Sequence, residues 1–193
     1  MRAAQAFARK NLDAFPADVD AILTNAAGCG SAMHEYHLIL RGTPDEARAA
    51  AFCKRVMDVS VFLNRLGLRE KPTGRGAGQT EAVAYHDACH LANAQGVRLE
   101  PRALLQAIPG VEVREIANPH LCCGSAGTYN LDQPAIAHSL GAQKAAAVTA
   151  TGATTVATGN IGCLTQLRTH LAKTNSPIRV RHTMQVLRDA YRD

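Results

Sequence analysis

The sequence predicts an α/β fold, a mainly parallel sheet with helices on both faces, and three observations predict it. Short apolar runs at residues 19–25, 82–86, 111–116, 154–159 and 178–181 alternate with longer stretches of helical periodicity. Each run gives way to Gly, Ala, Asn, His or Cys, the junctions at which parallel sheets gather residues from distant parts of a chain. Hydrophobic residues make up 47% of the chain but aromatics only 4%, with no Trp, so the core is built from Ala, Val, Leu and Ile, which suits helices lying on a sheet.

In order, residues 19–25 (VDAILTN) read as a buried strand running into Ala26-Ala27-Gly28-Cys29-Gly30, and residues 31–40 as a helix. The next helix has Thr43 as N-cap, Pro44 at its first position and Glu46 completing a capping box. Phe52, Val56, Val59, Leu63 and Leu66 extend it as one apolar stripe to Gly67. Residues 69–81 are polar and glycine-rich and read as a linker between residues 1–68 and 82–193. Beyond it, strand 82–86 leads to Asp87-Ala88-Cys89-His90, and Pro101 opens a helix through Leu104, Leu105 and Ile108. Strand 111–116 leads to Cys122-Cys123-Gly124, and Pro134 starts a helix that ends at Gly152. Strand 154–159 leads to Asn160-Ile161-Gly162-Cys163 and a helix carrying Leu164, Leu167 and Leu171; strand 178–181 and helix 184–191 finish the chain.

Residues 21–29 (AILTNAAGC) echo residues 155–163 (TVATGNIGC): in both, a strand runs into Asn, Gly and a Cys that opens a helix. The chain therefore reads as one complete unit, 82–193, preceded at 1–68 by the tail of a degenerate copy. The strand at 19–25 is expected to lack a neighbour on one side, which invites a second copy or a partner subunit.

A net charge of +5 does not mark a nucleic-acid binder, because Arg and Lys are scattered among acids without aromatic interleaving or a nucleic-acid motif. No apolar run approaches the roughly 18–20 residues that span a bilayer, and residues 1–10 lack the apolar core of a secretion signal. Six cysteines without an export signal point to thiols in a reducing cytosol rather than to a disulfide framework.

The chemistry lies in those thiols. Cys89, Cys122, Cys123 and Cys163 sit in three strand-end loops, and four thiols converging there suit a soft metal or an iron–sulfur cluster. Cys163 opens a helix, where free N–H groups favour thiolate. Gly124 permits the tight backbone path after the vicinal pair. Cys29 is a further candidate because its loop matches that of Cys163, whereas Cys53 sits in an apolar stripe and reads as a packing residue. His86, His90, His120 and Gln166 flank the thiols as outer partners. There is no G-x-G-x-x-G, P-loop or paired C-x2-C pattern. A zinc-binding or metal-free interaction domain, and a Cys122–Cys123 dithiol working by disulfide exchange, remain as alternatives.

Residues 85–91 (YHDACHL), 118–129 (NPHLCCGSAGTY) and 159–166 (GNIGCLTQ) resemble the cysteine-rich CCG domain found in heterodisulfide reductases, lactate-utilisation proteins and the iron–sulfur subunit of glycolate oxidase. The Gly-Cys-Leu-Thr-Gln ending looks most like the glycolate oxidase subunit, and residues 25–36 resemble the tail of that subunit's first repeat. The resemblance implies Cys89, Cys122, Cys123 and Cys163 as ligands of a 4Fe-4S-type cluster, and no catalytic residue on this chain. It further implies an electron-transfer subunit that takes electrons from a flavin subunit oxidising glycolate to glyoxylate. Such a subunit is cytoplasmic, with room for peripheral association at the inner face of the membrane. The ferredoxin-like C-x2-C-x2-C-x3-C-P runs of that family do not occur here, and the chain reads as a C-terminal piece.

Overall fold

In the computed structural model, residues 1–74 and 80–191 are described. Helix α1 (Arg2–Ala14) precedes the first strand, β1 (Ile22–Thr24), which pairs in parallel with β2 (Val56–Asp58). Between them lie α2 (Ala27–His34), α3 (Tyr36–Ile39) and α4 (Glu46–Cys53), and α5 (Val59–Leu66) follows β2. The main sheet has the parallel order β4-β3-β5-β6, formed by β3 (Glu81–Tyr85), β4 (Val111–Glu115), β5 (Thr155–Thr158) and β6 (Arg179–His182). Its helices are α6 (Leu99–Gln106), α7 (Tyr129–Asp132), α8 (Pro134–Ala150), α9 (Ile161–Lys173) and α10 (Thr183–Asp189).

Alternation along β3 sorts the core into two layers. Ala82 and Ala84 face α8 and α9 with Val148, Leu167 and Leu171. Val83 and Tyr85 face α6 and α10 with Leu104, Leu105 and Leu187. Helices therefore cover both faces, as the unbroken apolar strands require. Leu63 and Leu68, read as belonging to the first unit, pack against this second layer. A smaller core of Leu12, Ile22, Tyr36, Leu40 and Phe52 lies under β1 and β2.

Three elements differ from the sequence reading. The stripe from Phe52 to Leu66 is not one helix. It breaks into α4, β2 and α5, because Val56 and Asp58 pair with Ile22 and Thr24, and the Asp58 carboxylate restarts the helix by accepting from Ser60 N at 2.9 Å. At the start of α4 the capping is displaced. Asp45 is the N-cap, Glu46 accepts from Gly42 N at 2.7 Å, and the Thr43 hydroxyl turns back to Leu40 O. The helix read at 31–40 begins at Ala27 and breaks at Glu35. Of the linker read at 69–81, residues 75–79 lie outside the described residues, and Thr73 N is tied to Ala190 O at 2.9 Å.

The internal repeat is present in the backbone. Ala26 and Asn160 are both extended N-caps, with φ/ψ of −136/107 and −146/128, and Cys29 and Cys163 are each the third residue of the helix that follows. It continues through the next strand. Thr24 is in register with Asp58, and Thr158 with His182; Asp58 and His182 each cap the next helix by accepting a backbone N–H. The two copies meet where Ala27 N donates to Gly159 O at 3.1 Å. β1 hydrogen-bonds to β2 alone among the described strands, so its other edge is open.

Helices α8 and α9 meet where Gly141 leaves room for the ring of His170; a Cβ at residue 141 would overlap that imidazole. Burial, then Lys173 and His138, lower the His170 pKa below its ordinary 6.5. The folded chain thus binds fewer protons at this ring than the unfolded chain. Stability is expected to be fully present above pH 6.5 and to fall as the pH drops from there through the lowered folded pKa. Urea melts at pH 7.5 and 5.5 check this: the midpoint should drop more in the parent than in His170→Gln, and equal drops would contradict it.

Candidate metal centre

The sheet reverses its winding between β3 and β5, and ligand sites of parallel sheets open at the carboxyl ends of such a pair. Cys89 follows β3 by four residues, Cys122 and Cys123 lie in the loop after β4, and Cys163 opens α9 after β5. The fold brings all four together. Cys123 Sγ lies 3.3 Å from Cys163 Sγ, and Cys122 lies close enough to Cys123 and Cys89 to shift with them as they titrate. Cys123 and Cys163 are buried, and Cys89 and Cys122 are half-buried at the mouth. Ala27, Val61, Ala88, Leu91 and Val97 pack around Cys122, Cys123 and Cys163.

The sulfurs share protons unequally. Cys122 is lowered to about 2, first by Cys123 and then by Cys89. Cys163 is lowered to about 5 by Cys123 against the effect of burial, with His86 and Asn160 adding to the lowering. Cys89 is raised, first by Cys122 and then by burial; Cys123 is raised by Cys122, Cys163 and burial. Two thiolates held by two thiols are therefore ready for a soft cation, whose binding requires deprotonated sulfur.

Around them the chain supplies directed polar groups. Gly124 N points to Cys122 Sγ at 3.4 Å and Asn160 Nδ2 to Cys163 Sγ at 3.5 Å. The loop turns at Gly124 with φ +85, where a Cβ would overlap the Ala137 carbonyl. Gln166 donates to Gly124 O at 3.5 Å rather than to a sulfur, so it steadies this turn. His90 lies on the exposed side with Nδ1 3.5 Å from Cys89 Sγ. His86 is closer in than an outer partner. It is 2% exposed, neither ring nitrogen has a hydrogen-bond partner among the described residues, and it forms with Cys123 and Cys163 a set of donor atoms within 4.8 Å of one another. An orphaned buried imidazole facing clustered thiols fits a metal or iron–sulfur group.

Two sequence-read candidates stand apart. His120 is exposed and makes no hydrogen bond to a sulfur, because Pro119 and the positive-φ turn at Asn118 carry it out to solvent. Cys29 is exposed at the start of α2, unlike the buried Cys123 and Cys163. Cys53 donates to Met33 O at 3.2 Å and packs on the smaller core, as read.

Lys144 escaped the sequence reading. It is fully buried on the inner face of α8, and its Nζ donates to Asn118 O at 2.8 Å, four residues before Cys122. Burial lowers its pKa, while Cys123, Asp87, Cys122 and Cys163 hold the charge on. It is thus a buried cation that the thiolates feel. Its position beside Gly141, Ala145 and Val148 on the apolar stripe of α8 was the available signal. Lys144→Met is expected to remove one of the two donors to the Asn118 carbonyl, which keeps Leu121 N at 3.0 Å, costing about 0.5–1.5 kcal/mol. It should also raise the pKa of the thiolates, seen as loss of thiolate absorbance at pH 7; unchanged absorbance would contradict the role.

On the opposite wall Arg102 grips both oxygens of Asp87 at 2.9 and 2.7 Å, bonds Glu115, and lies 4.5 Å over the Tyr85 ring. This bidentate clamp fixes the start of the Cys89 loop.

Residues 83–168 match the family model described as a cysteine-rich domain, CCG. The chain is 38% identical over 187 residues to the probable glycolate oxidase iron–sulfur subunit of Bacillus subtilis (strain 168), covering 95% of this chain and 42% of that protein. It is 35% identical over 188 residues to the glycolate oxidase iron–sulfur subunit of Escherichia coli (strain K12), covering 95% and 44%. It is also 28% identical over 181 residues to lactate utilization protein A of Shouchella clausii, covering 93% and 74%. The chain thus spans under half the length of the two glycolate oxidase subunits. In its matched segment and in the thiol-bearing loops within it, the chain is thus similar to the cysteine-rich CCG domain.

Proposed function

We propose that this chain is part of an iron–sulfur subunit of an oxidoreductase complex, in which Cys89, Cys122, Cys123 and Cys163 hold a 4Fe-4S-type cluster. The observation that carries the reading is the gathering of thiols from three strand ends, with the buried His86 imidazole beside Cys123 and Cys163. When bound, such a cluster stores and passes single electrons. The chain's own groups set the conditions: Gly124 N and Asn160 Nδ2 direct N–H dipoles at sulfur, Lys144 supplies a buried positive charge, and apolar side chains pack around Cys122, Cys123 and Cys163. His86 is a candidate fifth donor or a hydrogen-bond donor to sulfur.

Within the proposal, the partner is a flavin-containing protein that oxidises glycolate to glyoxylate; the glycolate oxidase names of two relatives support the choice of substrate. A partner protein or a second copy covers the open edge of β1; a monomer at micromolar concentration in sedimentation would count against the second copy. None of the described helices is long and apolar enough to cross a membrane, and the reading places the chain in the cytoplasm, peripheral to the membrane where the complex docks. Redox titration of anaerobically loaded protein tests the function. A reversible one-electron change in the visible spectrum supports it. A loaded metal with no redox step, as zinc would give, overturns it.

A further inference from the structure

A second site lies between α8 and α9, away from the thiols. His170 is seven residues beyond Cys163 on α9, about 10 Å along the helix at ~1.5 Å per residue. A cavity of about 770 Å³ opens there. Its walls carry small side chains: Ala142, Ala145, Ala146 and Ala150 along α8 and Pro177 are apolar, and Thr149 and residues 174–176 add polar groups. Its polar end holds three nitrogen side chains. The rings of His138 and His170 have centroids 4.9 Å apart, and Lys173 Nζ lies 3.2 Å from His138 Nδ1.

His170 is 5% exposed, lines the cavity, and has no hydrogen-bond partner among the described residues. An imidazole at a cavity wall with no partner in the chain is free to bond whatever occupies the cavity. Gly141 is what admits the ring, so the helix gives up a side chain to place it. Charge points the same way. Neither α8 nor α9 contains Asp or Glu, and no carboxylate lines the cavity.

We infer that this cavity binds a small organic monocarboxylate, its apolar body on the alanine face of α8 and its carboxylate between His138, His170 and Lys173. One ammonium with two imidazole N–H donors matches a single carboxylate charge, and the alanine walls favour a short apolar body over a bare inorganic anion. The site is independent of any metal at the cysteines.

The test is titration of the full chain with butyrate and benzoate, followed by calorimetry and by the ring ¹H–¹⁵N signals of His138 and His170. Benzamide and inorganic phosphate serve as a neutral isostere and a bare anion. Both acids should shift the two ring signals, Lys173→Gln should weaken binding about tenfold, and Lys173→Arg should retain it. Three results would overturn the inference: ring signals that neither acid moves, an equal response to benzamide or phosphate, or affinity unchanged in Lys173→Gln. Lys173 and His138 are exposed, so folding does not limit these variants. A failure here leaves the redox titration of the thiol centre unaffected, so the two readings fail separately.

Discussion

Cys123→Ala is expected to abolish metal retention and to raise the pKa of two other thiols at once. Cys123 is the first cause of the lowering at both Cys122 and Cys163, and its Sγ lies 3.3 Å from that of Cys163. Without it, each thiolate loses its main hydrogen-bond donor. Their titration should move up toward the ordinary thiol value of 9.0, so thiolate absorbance at pH 7 should fall. Burial helps the argument, because no water can replace a donor at a residue 2% exposed. Metal affinity should fall by more than about 100-fold, beyond what loss of an outer partner costs. Cys53→Ala, whose thiol bonds Met33 O in the smaller core, should leave both readings at parent values. Equal metal retention in the two variants would refute the assignment of Cys123.

Gly124→Ala is expected to be the most damaging single-methyl change near the site. At φ +85 an alanine sits in the left-handed region, and its Cβ would overlap the Ala137 carbonyl on the first turn of α8. The conformational cost and the overpacking together come to about 3 kcal/mol. For a chain of this length that lowers the melting temperature by about 6–12 °C. Because Gly124 N also points to Cys122 Sγ and Gly124 O accepts from Gln166, displacement of the turn should reach the thiols. Thermal melts check the first effect and metal loading the second. A shift under about 2 °C would mean that the loop and α8 give way more easily than close packing allows.

The second unit was readable because each of its strands is bounded by a turn and each long helix opens on a marked residue. Pro134 begins α8 and Asn160 precedes α9, and the thiols fall at the loops those boundaries define. The first unit was harder. Phe52, Val56, Val59 and Leu63 satisfy helical spacing even though a strand lies among them. A three-residue strand is too short to show its own period. Asp58 followed by Ser60 was the missed helix-start signal. Helix α1 also went unread, though Ala8 and Leu12 sit one turn apart and pack on Ile22 and Phe52.

At the site, the four cysteines could be picked out from their loops, but the roles of their neighbours could not. His86, His90 and His120 look alike in sequence, each within three residues of a cysteine. The fold buries the first among the sulfurs, leaves the second at the rim and turns the third outward. That sorting depends on how β3 and the Asn118 turn aim each side chain, which no local pattern encodes. Lys144 is the reverse case: its helical position marked it as inward, but its partner is a backbone carbonyl 26 residues away.

The central claim is that Cys89, Cys122, Cys123 and Cys163 form one iron–sulfur centre. Anaerobic reconstitution with iron and sulfide, followed by chemical iron and sulfide analysis and electron paramagnetic resonance, tests it most directly. The account predicts bound iron and acid-labile sulfide, a paramagnetic signal in one redox state, and loss of all three in Cys122→Ser but not in Cys29→Ser. Stoichiometric zinc without sulfide, or iron retained equally in both variants, would contradict it.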